Sequence, residues 1–255
     1  MKKFTVIGNW KLNGNNNFVD KFIIKLKKYF LDNPIFYKIV LAPPLLYVHH
    51  FTSNIREKNF FIGAQNVDIH ISGSFTGEIS VDMLQDNGIK YVIIGHSERR
   101  KFHHESNEII AKKFSLLKQR NMVPILCIGE TLEEKKQNKT QLICSKQIDD
   151  ILKYVGENAF KNSIIAYEPI WAIGSGYSAT AREIQNINNF IKNYISDYSN
   201  VKRNEIITQY GGSVDDLNIE EFFMQDDIDG VLLGGASISL HKFIKILQLI
   251  HNLKI

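Results

Sequence analysis

Residues 91–100 read YVIIGHSERR: four apolar residues, a glycine, then five polar or charged ones. Tyr91 to Ile94 shows no polar alternation, so it reads as a strand covered on both faces, the kind found in parallel sheets. Working outward, runs of the same kind recur at Phe4 to Ile7, Lys38 to Ala42, Phe60 to Gly63, Val123 to Ile128, Ile164 to Tyr167, Glu205 to Gln209 and Gly230 to Leu233. Segments of helical period lie between them. One carries Phe18, Phe22, Leu26 and Phe30, another Ile184, Ile187, Ile191 and Tyr194. No linker or low-complexity stretch divides the chain. Some eight strand–helix repeats in 255 residues predict an α/β fold, a single-domain (β/α)8 barrel over 1–255, in preference to a doubly wound sheet.

Composition narrows the function classes. With 44% hydrophobic and 23% charged residues the chain falls in the ordinary globular class. The net charge of +4 comes partly from lysine clusters (Lys25, Lys27 and Lys28; Lys135, Lys136 and Lys139) in helix-like segments, where they read as solvated faces. Nucleic acid is not suggested; a small anion is compatible. Cys127 and Cys144 form no disulfide framework and no paired metal spacing, which favours a reducing compartment. No run reaches the roughly 18 apolar residues of a membrane span, and the apolar run after Met1 is too short for a signal peptide. The expectation is a cytoplasmic protein with no membrane partner.

In a barrel of this kind chemistry sits in the loops after the carboxyl ends of the strands. The unusual residues fall there: Asn9, Trp10 and Lys11 after the first strand, Gly95 to Arg100 after the fourth, Glu168 after the sixth, Tyr210 to Ser213 after the seventh, Gly234 to Ser237 after the eighth. Taken alone, Glu168 is an ordinary strand-end carboxylate, His96 an ordinary structural histidine, and each glycine pair a turn. Together they place an acid, an imidazole, an ammonium and two glycine pairs around one mouth. The glycine pairs after adjacent strands match the usual phosphate position of the barrel.

NWKLNG, the GAQNVD to GSFTGE stretch, GHSERR, CIGET, AYEPIWAIGSG, YGGSV and GVLLGGAS occur in this order over nearly the whole chain. In combination they resemble the triosephosphate isomerase family. The resemblance implies a TIM barrel, interconversion of dihydroxyacetone phosphate and D-glyceraldehyde 3-phosphate through an enediolate, and no cofactor or metal. It implies that Glu168 is the catalytic base, that a neutral His96 polarises the carbonyl, and that Lys11 and Asn9 stabilise charge on the enediolate oxygens. Glu98 then reads as the charge partner that positions Lys11. The backbone N–H groups of Gly174, Ser213, Gly234 and Gly235 are implied to hold the phosphate. The segment 65–78, with Phe75 and Thr76 between Gly73 and Gly77, resembles the family's dimer loop, which implies a homodimer with Thr76 near the partner's site.

Rival motifs fail on their own requirements. Gly174 to Ala179 fits G-x-G-x-x-A but begins seven residues beyond Tyr167, too late for a tight strand-to-helix turn. His96-Ser97-Glu98 has no P-C-x-x-C partner for a zinc deaminase, and Arg99 replaces the last glycine of a nucleophile elbow. The alternative of another class is an inactive barrel that binds a phosphate ligand or a protein. Retention of Asn9, Lys11, His96, Glu98 and Glu168 together argues against it.

Overall fold

A computed structural model describes residues 4–172 and 179–253. Eight parallel strands close into a barrel: β1 (Thr5–Asn9), β2 (Lys38–Ala42), β3 (Phe60–Ala64), β4 (Tyr91–Ile94), β5 (Val123–Ile128), β6 (Ile164–Tyr167), β7 (Ile207–Tyr210) and β8 (Gly230–Leu233). Helices follow or precede the strands and cover the outside. The absence of polar alternation has a direct cause in this architecture. Ile7, Val40, Ile93, Ile125, Ile164 and Leu232 fill the barrel interior, while Val6, Ile39, Val92, Leu126, Ile165 and Val231 pack under the helices. Both faces of every strand therefore leave water.

Two helix faces differ from expectation by about one residue. The helix Asn16–Asp32 buries Val19, Phe22, Ile23, Leu26 and Tyr29, with Phe18 and Phe30 at the margins of that face. The helix Ala181–Asp197 buries Ile184, Asn188, Ile191 and Ile195, and leaves Ile187 and Tyr194 half-buried. The first strand extends through Gly8 and Asn9 beyond its expected end. The seventh begins two residues later than expected, because a short 3-10 turn, Arg203–Glu205, occupies its start. Among the described residues no helix is long and apolar enough to cross a membrane.

Closure is secured at two seams. Between β8 and β1 the register runs from Thr5 opposite Gly230 to Gly8 opposite Leu233. Between β7 and β8 side chains supplement the ladder: Asp229 accepts from the Thr208 N–H at 2.9 Å and faces Lys192 Nζ at 2.7 Å, while Asp227 takes Arg203 at 2.8 Å. The two buried charges among them, Lys192 and Asp227, are each paired, as burial demands.

The seam that positions the mouth runs from β5 to β6. Glu168 N–H donates to Ile128 O at 2.7 Å, which brings the backbone of Glu168 against Gly129. A Cβ at Gly129 would lie 2.0 Å from Glu168 O, so no other residue fits. Gly129→Ala must separate the strand ends, at a cost of about 3 kcal/mol, and should lower the melting temperature by roughly 6–12 °C at the roughly 2–4 °C per kcal/mol of a chain this size. Thermal unfolding followed by circular dichroism checks this, and an unchanged melting temperature contradicts the close approach.

Candidate active site

The carboxyl ends of the strands open onto a cavity of about 430 Å³ lined by Asn9, Lys11, His96, Glu168, the 211–215 loop, Leu232 to Ala236, Ser239 and Lys242. Five segments far apart in sequence meet there because they end five strands of one closed sheet.

Glu168 is 3% exposed although it is a carboxylate. Its Oε1 lies 3.4 Å from His96 Nε2 and its Oε2 3.4 Å from the Ser97 N–H, a long contact. Gly211 makes room for it, since a Cβ there would lie 2.6 Å from Glu168 Cγ. Below it, burial and the Glu168 carboxylate push the Cys127 thiol well above its usual range, so this cysteine is an inert neutral floor.

His96 lies two residues beyond the end of β4 and caps the helix Ser97–Phe102. Its Nδ1 accepts the Glu98 N–H at 3.2 Å. A ring nitrogen that accepts an N–H has no proton of its own, so the ring proton belongs on Nε2, which faces Glu168 and the cavity. The Glu98 carboxylate stands 3.6 Å from the same Nδ1 without changing that assignment, because the backbone N–H already occupies the lone pair.

Lys11 projects from a strained turn. Its φ is 52°, a left-handed value that costs a lysine of order 1–3 kcal/mol. Two contacts hold it: Lys11 N–H donates to Asn9 Oδ1 at 3.0 Å, and Gln65 Nε2 donates to both Lys11 O at 3.0 Å and Ala42 O at 2.9 Å. Lys11 Nζ meets Glu98 Oε1 at 2.7 Å. Glu98 lies outside the lining of the cavity and reaches it through Lys11.

Ser213, Gly234 and Gly235 line the same cavity, and Gly234 lies beside Lys11, whose Cε would be 3.6 Å from a Cβ at that position. Gly234 caps the four-residue helix Gly235–Ile238. Ser237 anchors this turn: its hydroxyl sits 2.7 Å from Gly234 O and 3.3 Å from Asn9 O, and a Cβ on Gly8 would strike its Cβ at 2.9 Å. Gly174 lies outside the described residues.

The structure adds groups that sequence reasoning passed over. Glu130 is 1% exposed and accepts from Tyr167 Oη at 3.0 Å and Trp171 Nε1 at 2.9 Å. Burial and this carboxylate push the Tyr167 phenol far up, so it acts as a donor throughout. Lys135 is not a solvated surface lysine: its ammonium lies 3.4 Å from the centre of the Trp171 ring, a cation–π contact, and 3.5 Å from Glu183. The CIGET motif contained Glu130, but no spacing rule connects it to an indole 41 residues later.

The arrangement can take a proton at Glu168, offer a hydrogen bond from His96 Nε2, place a positive charge at Lys11 and present a glycine-rich anion cradle. Comparison with known proteins agrees with this set of capacities. A family profile described as Triosephosphate isomerase matches residues 4–250. The chain is 52% identical over 257 residues to a protein of Blochmanniella floridana named Triosephosphate isomerase, covering 99% of this chain and 98% of that one. It is 55% identical over 253 residues to one of the same name from Buchnera aphidicola subsp. Cinara cedri, covering 98% and 99%. An acid against an imidazole, a strained lysine and a paired-glycine cradle at the mouth of a closed eight-stranded barrel thus occur in a chain matched almost end to end: it belongs to the triosephosphate isomerase family.

Proposed function

We propose that this protein interconverts dihydroxyacetone phosphate and D-glyceraldehyde 3-phosphate by proton transfer through an enediolate. The observation that carries the reading is the 3.4 Å approach of the buried Glu168 carboxylate to His96 Nε2, with Lys11 lining the same cavity. Glu168 removes the proton from the carbon beside the carbonyl and returns it to the neighbouring carbon. His96 Nε2–H donates to the carbonyl oxygen as negative charge develops, gives that oxygen its proton and takes the proton of the neighbouring hydroxyl, which becomes the new carbonyl, while the Lys11 ammonium and Asn9 stabilise the charge. Glu98 acts through Lys11 and the His96 ring as a positioning residue. The N–H groups of Ser213, Gly234 and Gly235 hold the phosphate, with Gly174 assigned to the same task by family likeness. The reaction leaves the overall oxidation level unchanged, so it calls for no redox cofactor, and the Lys11 ammonium and the His96 N–H supply the charge stabilisation that a metal would otherwise give.

A homodimer through residues 65–78 forms part of this reading. Large apolar side chains are left in water in the segments after β1, β2 and β4: Leu12 is 97% exposed, Leu46 83% and Phe102 65%. The loop itself is preorganised. His70 stacks on Phe75 at 3.5 Å and meets Asp68 at 2.7 Å, and Asn66 accepts from the buried Lys113 at 2.7 Å. A second copy of the loop, with Thr76 at its tip, would cover that apolar flank. The free, buried thiols of Cys127 and Cys144 fit a cytoplasmic location.

Glu168→Asp withdraws the carboxylate by one methylene and should lower kcat on the order of 10²-fold with a smaller change in KM. Steady-state kinetics with D-glyceraldehyde 3-phosphate measures this, and an unchanged kcat removes Glu168 from its role. Thr76→Arg should bring an unpaired charge to the dimer contact, so sedimentation is expected to show dimers for the parent and monomers for the variant. A variant that sediments as the parent does would assign the loop another task.

A further inference from the structure

One cation at the glycine-rich end of the cavity is used neither by the motifs nor by the mechanism above. Lys242 lies in the first turn of the helix Leu240–Asn252 and lines the same cavity as Lys11, beside Ser213, Asp215 and Ser239. Its Nζ stands 3.9 Å from Asp215 Oδ2, too far for a hydrogen bond, with the two side chains 49% and 33% exposed. A lysine in the first turn is unfavourably placed, because the N-terminal end of a helix carries positive partial charge, and no acidic residue shares that turn to offset it. Asp215 is misplaced in the complementary sense: it is a carboxylate in the lining of a cavity that is to accept a dianion. Its Oδ1 is occupied, accepting the Leu217 N–H at 2.9 Å, and its Oδ2 faces Lys242. An anion bound beside Lys242 would offset the first misplacement, and Asp215 would oppose its entry.

We infer that Lys242 is a second ammonium for the substrate's phosphate and that Asp215 competes with the phosphate for it. The four-carbon stem of lysine lets one ammonium serve either partner, and the loose 3.9 Å pair leaves little to break when it turns. Asp215 sets the balance: it screens Lys242 from anions that do not also fill the N–H cradle, and so favours a phosphate ester that does. The inference rests on the reading that the cavity takes a triose phosphate.

The test compares Lys242→Met, Lys242→Arg, Asp215→Asn and the control Lys245→Met, measuring KM for D-glyceraldehyde 3-phosphate and the inhibition constant of inorganic phosphate. Lys245 is exposed on the same helix and outside the cavity lining, so its variant carries the same change in net charge without the contact. Asn at 215 keeps the Oδ1 acceptor of the turn. Lys242→Met should raise both constants about three- to fivefold relative to Lys245→Met, the scale of a half-exposed ion contact. Lys242→Arg should restore them, Asp215→Asn should lower both, and the salt dependence of phosphate inhibition should flatten in Lys242→Met. Equal constants for Lys242→Met and Lys245→Met, or a rise in Asp215→Asn, overturn the inference. A parent protein that turns over no triose phosphate would overturn the proposed reaction instead, and calorimetric titration of inorganic phosphate into the same variants would then still decide whether Lys242 binds it.

Discussion

Glu168 is held where it is by the absence of side chains around it. Its carbonyl leans on Gly129 and its Cγ on Gly211, with no space for a Cβ at either position. A carboxylate can be buried this deeply only if neighbours supply hydrogen bonds or if it is to exchange a proton with something that enters. Among the described residues, His96 Nε2 and the Ser97 N–H stand 3.4 Å from its oxygens, longer than a settled hydrogen bond, and the neutral Cys127 thiol below is a weak donor to it. The barrel fixes this poise. Gly129 and Gly211 follow β5 and β7, the two neighbours of β6, so closure of the sheet brings their backbones to Glu168.

The charges on the far side are ordered by backbone. Lys11 accepts a left-handed conformation because Asn9 Oδ1 and the Gln65 amide satisfy the groups that the turn turns inward. Glu98 then receives its ammonium, while the N–H of Glu98 itself fixes the His96 ring. One short helix, Ser97–Phe102, thereby orients both the imidazole and the lysine. Loss of the helix start would disorder two polar groups together, so changes at Ser97 or Glu98 should not be read as single-residue effects.

Much of this was legible in the sequence because the two signals involved are local. Apolar runs without alternation marked the strands, and five of the eight carry the bounds expected of them, from Lys38–Ala42 to Gly230–Leu233. The first strand was hidden at its end by Gly8 and Asn9, which are small or polar for reasons of the site: Gly8 faces Ser237, and Asn9 serves Lys11. Motif order placed Asn9, Lys11, His96 and Glu168 at strand ends, and all four line one cavity. What could not be read was pairing across sequence distance. Glu130 with Trp171, Lys135 over the same indole, and Lys242 with Asp215 each join residues of different segments, and each charged member taken alone resembles a solvated surface charge. The pair Gly211 and Gly212 was read from sequence only as part of the phosphate position; the tightest constraint on Gly211, the methylene of Glu168, was not legible there.

The central claim is that a carboxylate on this protein carries the substrate proton between two carbons. Turnover of D-glyceraldehyde 3-phosphate in D2O, followed by proton NMR, tests it most directly, since a proton resting on a carboxylate exchanges with solvent before it is returned. The account predicts dihydroxyacetone phosphate labelled with one deuterium at C1, in a single prochiral position. Product formed with full retention of the substrate hydrogen would indicate a direct hydride shift and contradict the role of Glu168.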